Sequence, residues 1–180
     1  MKRNVKILLA SSILLHSGVN LLAPIYAIFI KNIGGTLIDA GTAIGIYAIL
    51  RGLLYFLLGK FKQHTFSNKQ MISAGYFIFF ISYILYLMSY VPWHVFGIQA
   101  LLALGDVIIT PSWSAVIATS LDKGRERSIY SDFYGYRSFF EGGAAIAGGY
   151  FALEYGFNAV FTTMATLALL ASIISLFIKE

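Results

Sequence analysis

Apolar residues fill this chain in long unbroken runs, and polar residues are largely confined to short stretches between them. Such runs, with no alternation of period two, predict helices and not strands. Six spans follow: Val5–Ile30, Thr42–Gly59, Met71–Tyr90, Val95–Thr119, Ile129–Leu153 and Asn158–Ile178. The shortest holds about 18 residues, which at about 1.5 Å each covers about 27 Å, enough for a thin hydrocarbon core. Short connections make consecutive spans antiparallel neighbours within one domain, residues 1–180.

Composition agrees with a membrane solvent: 58% of residues are hydrophobic, 12% are charged and the mean hydropathy is +0.77. A soluble domain of this length needs a far more polar surface. The first apolar run continues to Ile30 without a small-residue cleavage site before the polar loop, so it reads as a span and not a signal peptide. The net charge of +5 is explained by topology, not by nucleic acid. Lys2, Arg3, Lys6, Lys60, Lys62, Lys69, Lys123, Arg125, Arg127 and Lys179 fall on one side of the predicted spans, and Lys31 alone on the other. That bias predicts a multi-pass protein of the cell membrane with both termini in the cytoplasm. The absence of cysteine excludes disulfides and thiolate metal sites.

The first and fourth spans share a pattern. Gly18, Pro24 and Tyr26 match Gly105, Pro111 and Trp113 at an offset of 87 residues, and Arg51 of the second span matches Arg137 of the fifth at an offset of 86. Three spans per copy insert the copies in opposite orientations, so the expected fold is all-α: six transmembrane helices as two inverted three-helix repeats, about 5–90 and 95–178.

Ionisable groups lie far from the ends of these spans. A charge at mid-bilayer costs about 2.5–3.5 kcal/mol on insertion scales, so each marks a polar pathway or a paired site. Arg51 and Arg137 balance Asp106 and Glu141, and Arg137 is expected to contact an acid, either Glu141 or Asp106. Two roles are open for Asp106 and Glu141: proton coupling, or a fixed ion pair that holds helices together. Arg51 and Arg137 are candidates for binding an anionic substrate or for pairing with these acids. Four-residue spacing puts His16 with Asn20 on one face, and Tyr47, Arg51 and Tyr55 on another. His16 reads as a packed, hydrogen-bonded residue. The tyrosines and Trp113 fit either an aromatic wall for an organic substrate or simple packing. Gly18, Gly105, Gly142, Gly143, Gly148 and Gly149, with Pro24 and Pro111, are candidates for close helix packing or hinges. No phosphate loop, metal cluster or nucleophile–base set is present, so neither an enzyme nor a cofactor is expected.

The run Leu104-Gly105-Asp106 to Pro111-Ser112-Trp113, the loop Asp122 to Arg127, and Gly142-Gly143 to Gly148-Gly149 together resemble the major facilitator superfamily. The likeness is to one six-helix half, most like the N-terminal half of drug:proton antiporters, and covers essentially the whole chain. Its signatures depart from the family pattern. The loop after the second span, Gly59 to Asn68, keeps only the first glycine of G-x-x-x-D-R-x-G-R-R. Leu101 stands where the fourth span usually carries arginine, and Ala144-Ala145 replace Gly-Pro in the fifth. The resemblance implies a secondary transporter that moves a small organic solute by alternating access, with proton coupling as a variant. It implies a cavity lined by the first, second, fourth and fifth spans, with the third and sixth facing lipid. A parallel homodimer would rebuild the two-half fold, since an even number of spans lets both copies sit in one orientation. The alternatives are a non-transporting scaffold or assembly subunit, or one half of a larger transporter.

Overall fold

The structure, a computed structural model, describes residues 3–58, 67–120, 124 and 126–179. The degenerate loop motif from Gly59 to Phe66, and Asp122, Lys123 and Arg125 of the later loop, lie outside the described residues. The helices are α1 (Arg3–Leu22), α2 (Tyr26–Asn32), α3 (Leu37–Leu58), α4 (Asn68–Leu87), α5 (Pro92–Ser120) and α6 (Glu126–Ser175). A 3₁₀ turn, Ala23–Ile25, joins α1 to α2 at Pro24, which has no N–H to continue the ladder. Together α1 and α2 form the first predicted span. Pro111, its counterpart by offset, stays inside the unbroken 29-residue α5.

Five helical segments are long and apolar enough to cross a membrane. The last, α6, is 50 residues long and is broken at Gly156, whose φ of 77° and ψ of 172° are non-helical. Only glycine takes that conformation without steric cost, and the chain reverses there. Contacts along α1 show the reversal directly. Leu21 lies against Gly148 and Phe29 against Phe157, then Gly18 lies against Met164 and Asn4 against Lys179. The first arm, 126–155, therefore runs parallel to α1 and the second, 157–175, returns antiparallel to it. The two arms correspond to the fifth and sixth predicted spans.

The core forms where α1, α4, α5 and the second arm meet. Phe29 packs edge-on to Tyr86 and Phe161, and Tyr86 stacks on Phe161 with centroids 5.0 Å apart. Two buried serines there pair with each other's backbone. Ser73 Oγ donates to Ser172 O over 3.0 Å and Ser172 Oγ donates to Ser73 O over 2.9 Å, joining α4 to the second arm where no water competes. Helices α4 and α5 touch almost backbone to backbone: a Cβ on Gly75 would sit 2.9 Å from Gly105 O, and one on Gly105 3.2 Å from Gly75 O. At Gly148 an added carbon would collide with the backbone of Leu21, whereas Gly142, Gly143 and Gly149 have nothing within 4 Å. Only Gly148 of that glycine group serves packing within the chain.

The distribution of burial corrects one expectation. Helix α4, expected on the lipid side, carries the fully buried Tyr76 and Tyr83, and the second arm carries Phe161 and Met164. Helix α3 is instead peripheral, leaning chiefly on α5 and exposing Ile44, Ile49, Leu53, Phe56 and Leu57.

A leucine in place of Gly75 or Gly148 is expected to lower stability by about 1–3 kcal/mol through overpacking, whereas Gly142→Ala and Gly143→Ala leave it unchanged or slightly raised. Thermal unfolding in mild detergent, followed by loss of the monodisperse peak, measures the difference.

Candidate functional site

A cavity of about 610 Å³ is walled by α1 to α5 and both arms of α6. That size suits a small molecule. His16, Tyr47, Arg51, Asp106, Trp113 and Arg137, all singled out by sequence, line it. Asn20, Tyr55 and Glu141 are not part of its wall. Asn20 instead donates from Nδ2 to His16 O over 2.9 Å within α1.

Asp106, midway along α5, is reached from α3. Arg51 Nη1 and Tyr47 OH each lie 3.1 Å from Asp106 Oδ2, and Arg51 Nη1 also donates to Tyr47 OH over 3.3 Å. The four-residue spacing places both donors on one face of α3. The Arg51 guanidinium sits over the Tyr47 ring, 5.3 Å from its centroid, and adds a cation–π contact. Thr110, one turn along α5, donates to Asp106 O over 2.9 Å, with Asp106 Oδ1 a second acceptor at 3.3 Å. The Arg51 side chain is 44% exposed and that of Asp106 23%, so the pair forms part of the cavity surface and is not sealed.

The second pair lies within one helix. Arg137 Nε is 3.0 Å from Glu141 Oε1, one turn on, in an orientation that does not meet hydrogen-bond geometry. The same guanidinium covers the Tyr134 ring at 5.0 Å. Of the two acids offered by sequence, Arg137 therefore meets Glu141, and Asp106 goes to Arg51. Across the cavity, His16 Nδ1 lies 2.9 Å from Ser12 O. A carbonyl only accepts, so Nδ1 carries hydrogen, and in the neutral ring Nε2 keeps its lone pair. Trp113 packs edge-on against Phe133 at 4.8 Å.

A further polar group escaped the sequence reading. Buried Gln99 donates from Nε2 to Tyr26 OH over 2.9 Å and to Tyr86 OH over 3.2 Å, and all three residues line the cavity. Gln99 had a usable signal, a lone amide in an apolar run seven residues before Asp106. Tyr134 had another, since it stands 87 residues after Tyr47. Gly75 and Thr110 had none that separates them from ordinary membrane residues.

Fold and site together define a multi-pass helical membrane protein with an internal, charged, small-molecule-sized chamber. The family model of the Major Facilitator Superfamily matches residues 8–180, and the chain belongs to that superfamily of membrane transporters. It is 24% identical over 160 residues to the uncharacterized MFS-type transporter YitZ of Bacillus subtilis, covering 86% of this chain and 93% of that protein. It is also 24% identical over 175 residues to the uncharacterized MFS-type transporter MJ1560 of Methanocaldococcus jannaschii, covering 97% of this chain and 45% of that one. The chain thus spans nearly all of one relative and less than half of the other. Relatives named as transporters accord with a protein that is not an enzyme.

Arg51→Gln and Asp106→Asn, made singly and together, form a double-mutant cycle on this contact. A coupling energy of about 1 kcal/mol is expected, with the double variant losing less stability than the two single losses combined. Melting of the four proteins in one detergent provides the readout.

Proposed function

We propose that this protein is a half-size secondary transporter, six crossings per chain, that works as a parallel homodimer and moves a small organic solute by alternating access. The observation that carries the reading is the Arg51–Asp106 pair, held on the wall of a 610 Å³ cavity in a chain of the transporter superfamily. Charges at that depth are costly to insert, and a cavity gives them a use.

Several features support the inverted repeat. Tyr47 with Arg51 and Tyr134 with Arg137 make the same guanidinium-over-ring contact at matching offsets. Gly18 of the first span meets the second arm as Gly105 of the fourth meets α4. The Ser73–Ser172 contact falls within one residue of the Tyr86–Phe161 contact when the copies are exchanged. The tie between Asn4 and Lys179 keeps both ends of the described chain together, as six crossings require, and the lysine–arginine bias puts them in the cytoplasm.

Dimerisation draws support from a relative matched over 93% of its length, which is itself of about this size. It draws further support from α3 and the first arm, two helices beside the cavity. Gly41, Gly45 and Gly52 on one, and Gly142, Gly143 and Gly149 on the other, face open space. Small residues of this kind let a second copy approach closely in lipid.

Asp106 is the leading candidate for proton coupling, with Glu141 second. Asp106 lies beside Gly105 at mid-depth, it bonds two titratable or charged partners from another helix, and its counterpart by offset is the apolar Val19. An acid that alternates between this pair and a more open setting can bind and release a proton.

In proteoliposomes, Asp106→Asn is expected to abolish the pH dependence of solute uptake while dimerisation and yield stay near wild type. Unchanged pH dependence passes the role to Glu141 or makes the protein a uniporter. A scaffold would show no uptake in either form. Cross-linking between cysteines introduced at Gly45 and Gly142 in native membranes is expected to trap dimers, and monomer alone at native abundance would remove the homodimer.

A further inference from the structure

We infer that the cavity takes an organic anion with an aromatic or apolar body, its acidic group received by Arg137 and its opposite, hydrogen-bond-accepting end by the tyrosine hydroxyls beside Gln99. This inference rests on the transporter reading and names the substrate class for it.

An aromatic chamber with an acid in its wall would ordinarily suit a cation. The deciding point is which charges are already committed. Asp106 receives Arg51 and Tyr47 on Oδ2, so a cationic ligand would have to compete with an arginine already in place. Arg51 gives Nη1 to both Asp106 and Tyr47, inside the cavity wall. Arg137 also lines the cavity, but its paired acid, Glu141, does not, and the contact between them is at Nε. Among the described residues no hydrogen-bond partner is found for either Nη of Arg137, and its Nε is near Glu141 without hydrogen-bond geometry. A guanidinium with its outer edge free is a fork for carboxylate, sulfonate or phosphate. Tyr134 beneath it holds the plane of the fork.

The other end of the chamber is polar but uncharged. Gln99 spends its N–H groups on Tyr26 and Tyr86. Each hydroxyl accepts there, so its own hydrogen is free for the neighbouring hydroxyl or for a ligand, and at least one remains to donate into the cavity. Gln99 stands seven residues from Asp106 on α5, a separation of about 10 Å. Trp113 of α5 meets Phe133 of the antiparallel first arm, which puts Arg137, four residues on from Phe133, within about one turn of the level of Asp106, seven residues back from Trp113. The ligand defined by these ends carries an acid and an acceptor about 10–15 Å apart, with rings of Tyr76, Phe79 and Tyr83 along its length.

The test uses three matched probes: (4-nitrophenyl)acetate, its neutral amide, and 2-(4-nitrophenyl)ethylamine as the cation. Each nitro group quenches tryptophan. In the Trp93→Phe protein only Trp113, on the cavity wall, reports. The full chain in nanodiscs is expected to bind the anion at least tenfold more tightly than the amide or the amine. Arg137→Gln is expected to bring the anion down to the amide's affinity while the amide itself changes less than threefold, and Arg137→Lys is expected to keep part of the preference. Equal binding of all three probes, a preference for the amine, or an undiminished anion preference in Arg137→Gln would overturn the inference. Should Arg137→Gln fail to fold, the ranking of the three probes on the parent protein decides alone. Uptake into proteoliposomes separates the two readings. Anion-selective binding without uptake leaves the site standing and removes the transporter, whereas uptake that favours the amine does the reverse.

Discussion

The contact between Arg51 and Asp106 sits on the interface by which α3 leans on α5, its chief neighbour. Helix α3 is otherwise largely exposed, and its guanidinium and tyrosine add a specific polar hold on α5. In hydrocarbon neither charge is tolerated alone, so the cost of inserting each becomes the strength with which they seek one another. On the side of the chamber that α3 closes, that polar contact is set into the packing of α3 on α5. The rest of the wall is set by backbone proximity, at Gly75 with Gly105 and at Gly148 with Leu21.

The two kinds of fastening differ in character. Glycine crossings and the reciprocal serine bonds of α4 and the second arm leave no slack, since nothing in them can rotate away without opening a void. Long arginine side chains can follow a moving partner over several ångströms. A chamber built with one compliant side and one stiff side is suited to changing its shape without unfolding, and the compliant side is where the Arg51–Asp106 pair lies.

Much of this was legible in the sequence because the membrane makes its demands in the plainest terms. Apolar run length gave the helices, and mid-span charges pointed to their own partners: four ionised groups, two pairs. Arg137 and Glu141 could be paired from helical spacing alone, while Arg51 and Asp106 needed knowledge of which helices touch. The burial of α4 was missed because a lipid-facing helix and a core helix are equally apolar, so hydropathy cannot tell them apart. The reversal inside α6 was legible as two runs of suitable length, though Gly156 as its pivot was not, because glycine is common throughout the chain. The glycine cluster from Gly142 to Gly149 shows the limit of composition. Four glycines read alike, and only the one facing Leu21 touches its own chain.

The antiparallel pairing of α1 with the second arm has a consequence for biogenesis. Within this chain α1 is made before the second arm that it packs against, so α1 must wait in lipid with several polar side chains at membrane depth. Its own backbone provides for the wait: Ser11 bonds Leu8 O, His16 bonds Ser12 O and Asn20 bonds His16 O, all within the helix. Polarity folded back on its own helix needs no neighbour, and α1 can stay in place, unpaired, until the second arm is made.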